Sequence, residues 1–352
     1  MGDSSRSVRQ VKGSPLGRAS GNQRSLLLAL LFLTLRLFVS QAVARPISGS
    51  ATTELSSLDQ RDREAFDGSR ALRQLQRLVR RGNRYYGAPE REAVITLLTE
   101  GLRKSGAAEV RAQRFFVTER ISGQRYQLAN LIARVNPERE ERILLGTHWD
   151  TRLWAEEDQN PSQRATPIPG ANDGTSGVVV LFELLRVLRS NPLRKIGVDI
   201  ALFDGEEFGR PGSHDYCMGS KYMAKNLGAL YQRPPSAVIV IDMVGDRDLS
   251  FPAERSSLMR APSLEALVRR AGLSVGSRAF QTRKRGPWIT DDHSPFQALG
   301  IPAILLIDYD YPFWHTQRDT PSQCSSESLA QTGRALLAAL RRVDLMRLSR
   351  HR

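Results

Sequence analysis

The sequence predicts a single α/β domain with a central mixed, largely parallel β-sheet flanked by helices. Two observations carry this expectation. Three short runs, 198–203, 237–243 and 303–307, are almost continuously apolar and rich in Val, Ile and Leu, and 142–148 carries the apolar stretch Ile143-Leu144-Leu145, as strands do when helices cover both faces of their sheet. Between them lie stretches whose apolar residues recur at helical spacing, so strand and helix alternate along the chain. The 352 residues, 40% hydrophobic and 25% charged, could fill one large domain or two smaller ones. The sequence contains no internal repeat and no long low-complexity linker after residue 67, which favours one.

Residues 45–67 are polar and turn-rich and are expected to form a flexible lead-in. Over 69–81, Leu72, Leu75 and Leu78 share one helical face. A second helix is expected over 89–104, with Pro89 at its start and Gly106 just past its end. Strands follow at 109–118, 126–135 and 142–148. A Gly-rich entry opens a helix at 172–188, and then come a strand at 198–203, a helix at 221–227 and a strand at 237–243. A helix at 264–271, a loop to 289 and a strand at 303–307 precede a long amphipathic helix at 326–345. The catalytic domain so defined spans 68–346, with a basic tail at 347–352.

The first 44 residues read as a signal peptide or signal anchor. Six basic residues (Arg6, Arg9, Lys12, Arg18, Arg24, Arg36) stand against Asp3 there. The apolar run from Leu26 to Leu35 is too short to span a bilayer alone, and Ala42-Val43-Ala44 supplies a small-x-small cleavage site. Export, periplasmic or secreted, is the expectation, with membrane contact only through this segment if it is retained. The formal net charge of +14 would suit an anionic partner, but no nucleic-acid module accompanies it and a solvated basic surface accounts for it. Cys217 and Cys324 are the only cysteines, too few for a disulfide framework and outside any metal-type spacing.

Five segments place metal-type ligands at the ends of apolar runs: Gly146–Asp150, Gly170–Gly174, Asp204–Glu207, Ile241–Met243 and Trp314–Thr316. Each alone has an ordinary reading. His148 and Asp150, two apart on a strand, face the same side, as a metal ligand with its orienting carboxylate or as a satisfied buried pair. Asp173 before Gly174 suits a helix N-cap as well as a ligand. Glu206 and Glu207 are adjacent carboxylates that repel unless a cation compensates them, and neighbouring side chains diverge, so one can bind metal while the other moves protons. Asp242 interrupts an apolar strand, where an unpaired carboxylate is costly. His315 offers a second imidazole beside Trp314, or packs near a turn. Together they have the composition of a hydrolytic-type zinc centre with imidazole and carboxylate ligands and no thiolate.

In their order these motifs resemble the zinc-dependent exopeptidase family of metallo-aminopeptidases and, within it, the glutaminyl cyclases, over roughly residues 70–345. The resemblance implies Asp173, Glu207 and His315 as zinc ligands and Glu206 as the general acid/base. It places His148 and Asp242, with Asp150 behind them, where aminopeptidases hold a second metal. One zinc is implied for a cyclase, two for an aminopeptidase. Three features are similar to cyclases: the Asp291-Asp292-His293-Ser294-Pro295-Phe296 segment, the long insert from Phe208 to Met218, and Trp314 in the substrate pocket. Asp291 and Asp242 would then orient proton transfer by Glu206. The sequence departs from the cyclases by lacking a His near Leu305, by carrying Thr147 and Val178 where animal enzymes have a cysteine pair, and by an insert without Trp. Asp308, Tyr309, Asp310 and Tyr311 stand where the family builds part of its pocket, or form an ordinary polar loop. The function implied is a glutaminyl-peptide cyclotransferase acting on peptide or protein N-termini. A secreted di-zinc aminopeptidase is the alternative, and a non-catalytic ectodomain is disfavoured because every expected position is filled.

Overall fold

In the computed structural model, which describes residues 49–348 other than 283, six strands form one sheet. They are β1 (Glu109–Thr118), β2 (Arg125–Val135), β3 (Arg142–His148), β4 (Gly197–Phe203), β5 (Ala237–Asp242) and β6 (Ala303–Ile307). They pair in the order β1-β2-β4-β3-β5-β6. The hairpin β1-β2 is antiparallel and β2 is antiparallel to β4, whereas β4, β3, β5 and β6 are mutually parallel. The mixed, largely parallel sheet read from the sequence is therefore present.

Alternate residues of the parallel strands enter two cores. Ile143, Leu145, Ile200 and Ile239 face helices α2 (Gly68–Val79), α3 (Arg91–Ser105), α4 (Thr175–Ser190), α7 (Pro262–Ser274) and α9 (Ser326–Leu348). Leu144, Ala201, Val238 and Leu305 face α5 (Met218–Lys225) and α8 (Ser294–Ala298). Burial on both faces explains why these strands are mostly apolar, with few polar residues among them. A smaller cluster of Tyr86, Phe115, Leu128 and Phe208 seals the hairpin end.

Several boundaries differ from the sequence reading. Most of the 45–67 lead-in, expected to be irregular, is helix α1 (Gly49–Ala65). Its inward positions are Leu55, Asp59 and Asp62, a helical spacing carried mostly by aspartates, so hydrophobic periodicity misses it. Asp62 takes Arg341 of α9 in two hydrogen bonds, 2.8 and 3.1 Å, and Asp59 takes Arg342 at 2.9 Å. Removing one member of a buried pair leaves the other uncompensated. Asp62→Ala is expected to cost about 3–5 kcal/mol, measured as a lower urea midpoint at unchanged slope.

Helix α4 starts at Thr175 rather than Asn172, because Gly174 at φ 86° turns the chain just before it. The helix expected at 264–271 runs from Pro262 to Ser274, and the loop expected after it contains a 3-10 turn at Arg278–Phe280. A short helix not expected from the sequence, α6 (Arg255–Arg260), precedes α7 and is capped by Glu254 through Ser256 and Ser257 N–H. Helix α9 runs through Leu348, so the expected basic tail begins within it. The 1–44 export segment and residues 349–352 lie outside the described residues. Both cysteines are buried and unpaired.

Candidate active site

The parallel strands deliver their C-terminal ends to one edge of the sheet, where open α/β folds place their sites. His148 ends β3, Asp242 ends β5, and Glu206 and Glu207 follow β4 by one turn. Asp173 arrives from the turn before α4, and His315 from the loop after β6. These residues form two groups whose ligand atoms lie within 4.8 Å of one another: His148, Asp173 and Asp242, and Asp173, Glu207 and His315. Asp173 belongs to both. His148 Nε2 is 3.1 Å from Asp173 Oδ1 and 3.1 Å from Asp242 Oδ1. His315 Nε2 is 3.1 Å from Glu207 Oε1 and 3.7 Å from Asp173 Oδ2.

Local backbone geometry explains each placement. Gly174 must stay bare: a Cβ there would lie 2.6 Å from the Asp150 carbonyl oxygen and 3.0 Å from the His148 ring. The N–H groups of Asn172 and Asp173 donate to Asp319, at 2.8 and 3.2 Å, so a distant carboxylate holds the turn and Asp173 is not spent as an N-cap. Arg84 stitches the same region together, donating to the Trp149 and Gly170 carbonyls at 3.0 Å each. Gly205, at φ 71°, opens the short 3-10 turn Glu206–Phe208. Asp150 accepts the backbone N–H of Glu206 at 3.3 Å and of Glu207 at 3.1 Å. Asp150 thus clamps the Glu-Glu turn and stands 3.6 Å from His148 Nδ1, outside both ligand groups.

Three supporting residues, Glu156, Arg152 and Asp319, were not singled out as site residues from the sequence. Glu156 stands 3.1 Å from His315 Nδ1, behind the ring. Arg152, fully buried, bonds Glu156 at 2.7 Å and Glu207 Oε2 at 3.3 Å. Tyr311 donates to Asp319 at 2.8 Å. An i,i+4 Arg-Glu pair in a loop carries no motif, and Asp319 is an ordinary turn residue until the fold brings it to 172–173.

The electrostatics are those of a concentrated anionic pocket. Burial, and then the Glu207 charge, pushes Asp173 up to about 8. Glu206 is raised well above the usual carboxylate range, by burial first and Glu207 second. Burial also works against Glu207, but His315 and Arg152 outweigh it and hold that carboxyl at about 2. Burial opposes protonation of His315, yet Glu207 and Glu156 bring it up to about 10. Asp291 is pushed up to about 6 by burial and then by Asp242.

A metal cation fits this arrangement. Asp173 Oδ2 is buried and has no hydrogen-bond donor, which is costly for a carboxylate oxygen. Carboxylates converge with imidazole nitrogens whose far sides meet further carboxylates, the environment of zinc-bound histidine. Asp173, Glu207 and His315 would hold one ion, and His148, Asp173 and Asp242 are placed for a second.

A cleft of about 510 Å³ opens onto these groups. Glu206, Asp242 and Asp291 line it with Trp314, Tyr309 and Ile289. Trp314 is 43% exposed and its ring stacks on His315 at 3.8 Å. Asp173, Glu206, Glu207, Asp242, Asp291, Trp314 and His315 thus all line the cleft, His148 completes the second ligand group, and Asp150 stands one layer back. His293 stays out of the cleft, buried against Ser256 with Nε2 2.9 Å from its hydroxyl. Leu305 packs in the second core.

Known proteins share this fold. The family model for Peptidase family M28 matches residues 130–340. A glutaminyl-peptide cyclotransferase of Drosophila melanogaster is 30% identical over 218 residues, 55% of this chain and 58% of that protein's length. A glutaminyl cyclase of Bacteroides thetaiotaomicron superposes with a TM-score of 0.74 at 32% identity, covering 78% of this chain and 97% of that one. A leucine aminopeptidase precursor from the same organism gives a TM-score of 0.74 at 32% identity, with coverage of 78% and 97%.

Proposed function

The chain belongs to peptidase family M28, and from that premise we propose that it is a zinc-dependent glutaminyl-peptide cyclotransferase. The observation that carries the reading is Asp291, buried in the cleft beside Asp242 and acting electrostatically on Glu206. A hydrolytic site needs no second carboxylate there, whereas the resembling cyclases carry one. The similarity to cyclases among curated proteins and solved structures supports the same choice.

On this reading an N-terminal glutamine enters under Trp314 with its side-chain amide toward Asp173, Glu207 and His315. Zinc held by these three would polarise the γ-carbonyl as a Lewis acid. Glu206 takes a proton from the α-amine as its nitrogen bonds to the amide carbon. It returns that proton to the departing nitrogen, so the carbon–nitrogen bond breaks and ammonia leaves. Burial and the Glu207 charge, with Asp291 adding to them, raise the Glu206 carboxyl well above its ordinary range, which suits a group that takes up and returns a proton. Because the nucleophile and the carbonyl sit in one residue, positioning supplies much of the rate. Export, expected from residues 1–44, would bring the protein to peptide N-termini outside the cytoplasm and belongs to the proposal.

The second ligand group supports a specific competitor. His148, Asp173 and Asp242 beside Asp173, Glu207 and His315 are what a di-zinc aminopeptidase needs, with Glu206 activating water. Product analysis separates the two. Purified protein given Gln-peptides is expected to release ammonia and a pyroglutamyl product, read by mass spectrometry. A freed N-terminal amino acid from Leu-peptides, without cyclised product, would overturn the cyclase reading in favour of the peptidase.

A further inference from the structure

The insert after Glu207 closes back on the Glu206 turn. Cys217 N–H donates to the Glu206 carbonyl at 3.0 Å, and Met218 N–H to the Gly205 carbonyl at 2.9 Å. Cys217 also aims its side chain at the same residue, with Sγ 3.2 Å from Glu206 Oε1. The thiol is buried, 1% exposed, and unpaired. Its φ of 57° is a left-handed conformation that favours glycine. The chain nonetheless carries a side chain there, and that side chain ends on a carboxylate of the cleft. A thiol is a weak donor, but in a buried site a single donor suffices to select one orientation of a carboxylate.

We infer that Cys217 is a positioning residue for Glu206. Its S–H holds Oε1 and so fixes the rotation of the carboxylate, which leaves the second oxygen to take and return the proton. General acid/base transfer depends on that geometry before it depends on basicity. The insert thereby gains a second use besides shaping the cleft: it carries the group that aims the proton carrier. The inference rests on Glu206 as the proton carrier, a role common to the cyclase and aminopeptidase readings.

The test uses the full chain loaded with zinc and whichever of Gln- or Leu-peptide the wild-type protein turns over. Cys217→Ala is expected to lower kcat about tenfold, close to 1.4 kcal/mol of barrier, with KM within twofold and zinc content and Tm unchanged. Cys217→Ser keeps a donor at nearly the same place and is expected to recover kcat to within about threefold of wild type. In a Glu206→Gln background the Ala substitution is expected to cost less than twofold, because coupled residues are not additive. Full kcat in Cys217→Ala, a loss that tracks Tm or zinc instead, a Ser variant no better than Ala, or an undiminished loss in the Gln background would each overturn the assignment. A wild-type protein that cyclises nothing but frees amino acids removes the cyclase reading and leaves this test intact. Turnover of neither peptide removes both.

Discussion

Glu206→Gln is expected to keep its zinc and lose turnover by 10²–10⁴-fold, or roughly 3–5 kcal/mol of barrier. The substitution preserves size and hydrogen-bonding shape but removes the group that accepts the proton. Glu206 takes no part in either ligand group, so metal content measured by mass spectrometry should match wild type. KM should change far less than kcat, because the lost interaction belongs to the transition state. The expectation holds for cyclisation and for hydrolysis, since both move a proton through this residue. Near-normal turnover in the zinc-loaded variant would sink the assignment of Glu206 under either reading.

Asp173→Asn is expected to remove the metal and with it the activity. Asp173 is the residue common to both ligand groups, so its charge cannot be lost from one without weakening the other. Outer carboxylate partners alone typically contribute 10- to 100-fold to metal affinity or activity, and loss of a shared inner ligand should exceed that. Excess zinc should not restore turnover, whereas wild-type protein stripped by a chelator should recover when zinc returns.

The same substitution has an opposite effect on the metal-free protein. Burial and Glu207 raise the folded-state pKa of Asp173 from 3.8 to about 8. A raised carboxyl favours the folded state at low pH, and that contribution is lost as pH rises through the window from about 4 to about 8. Metal-free wild-type protein should therefore lose stability across that window. Metal-free Asp173→Asn should lose less and should melt above metal-free wild type at pH 8. A lower melting temperature for the metal-free variant at pH 8 would mean that Asp173 is satisfied without a cation, contrary to its unpartnered Oδ2.

Much of the fold was legible because its determinants are local. The parallel strands bury both faces and therefore spell themselves as apolar runs, and α9 announces itself as an amphipathic stretch. Helix α1 was missed for the complementary reason: Asp59 and Asp62 occupy its buried stripe, and their burial depends on Arg342 and Arg341 in α9, far along the chain. Among site residues, Glu206, Glu207 and Asp242 stand out as polar interruptions at strand ends, whereas Asp173 and His315, expected there too, sit on the turn before α4 and the loop after β6. Glu156, Arg152 and Asp319 do not stand out, because nothing in their own segments distinguishes them from loop residues.

By itself the sequence determined the fold class, the strand ends that carry the site, and a ligand chemistry of carboxylate and imidazole without thiolate. These are properties of residue type and spacing, and they survive without knowing any contact. Only the tertiary structure decided which oxygen of which carboxylate is free. Asp150 could have been a ligand, but the Glu206 and Glu207 N–H groups occupy its oxygens. Asp173 could have been a cap, but Asp319 satisfies its turn from 146 residues away. A carboxylate's role is set by the donors that reach it, and those donors come from segments that only folding brings together.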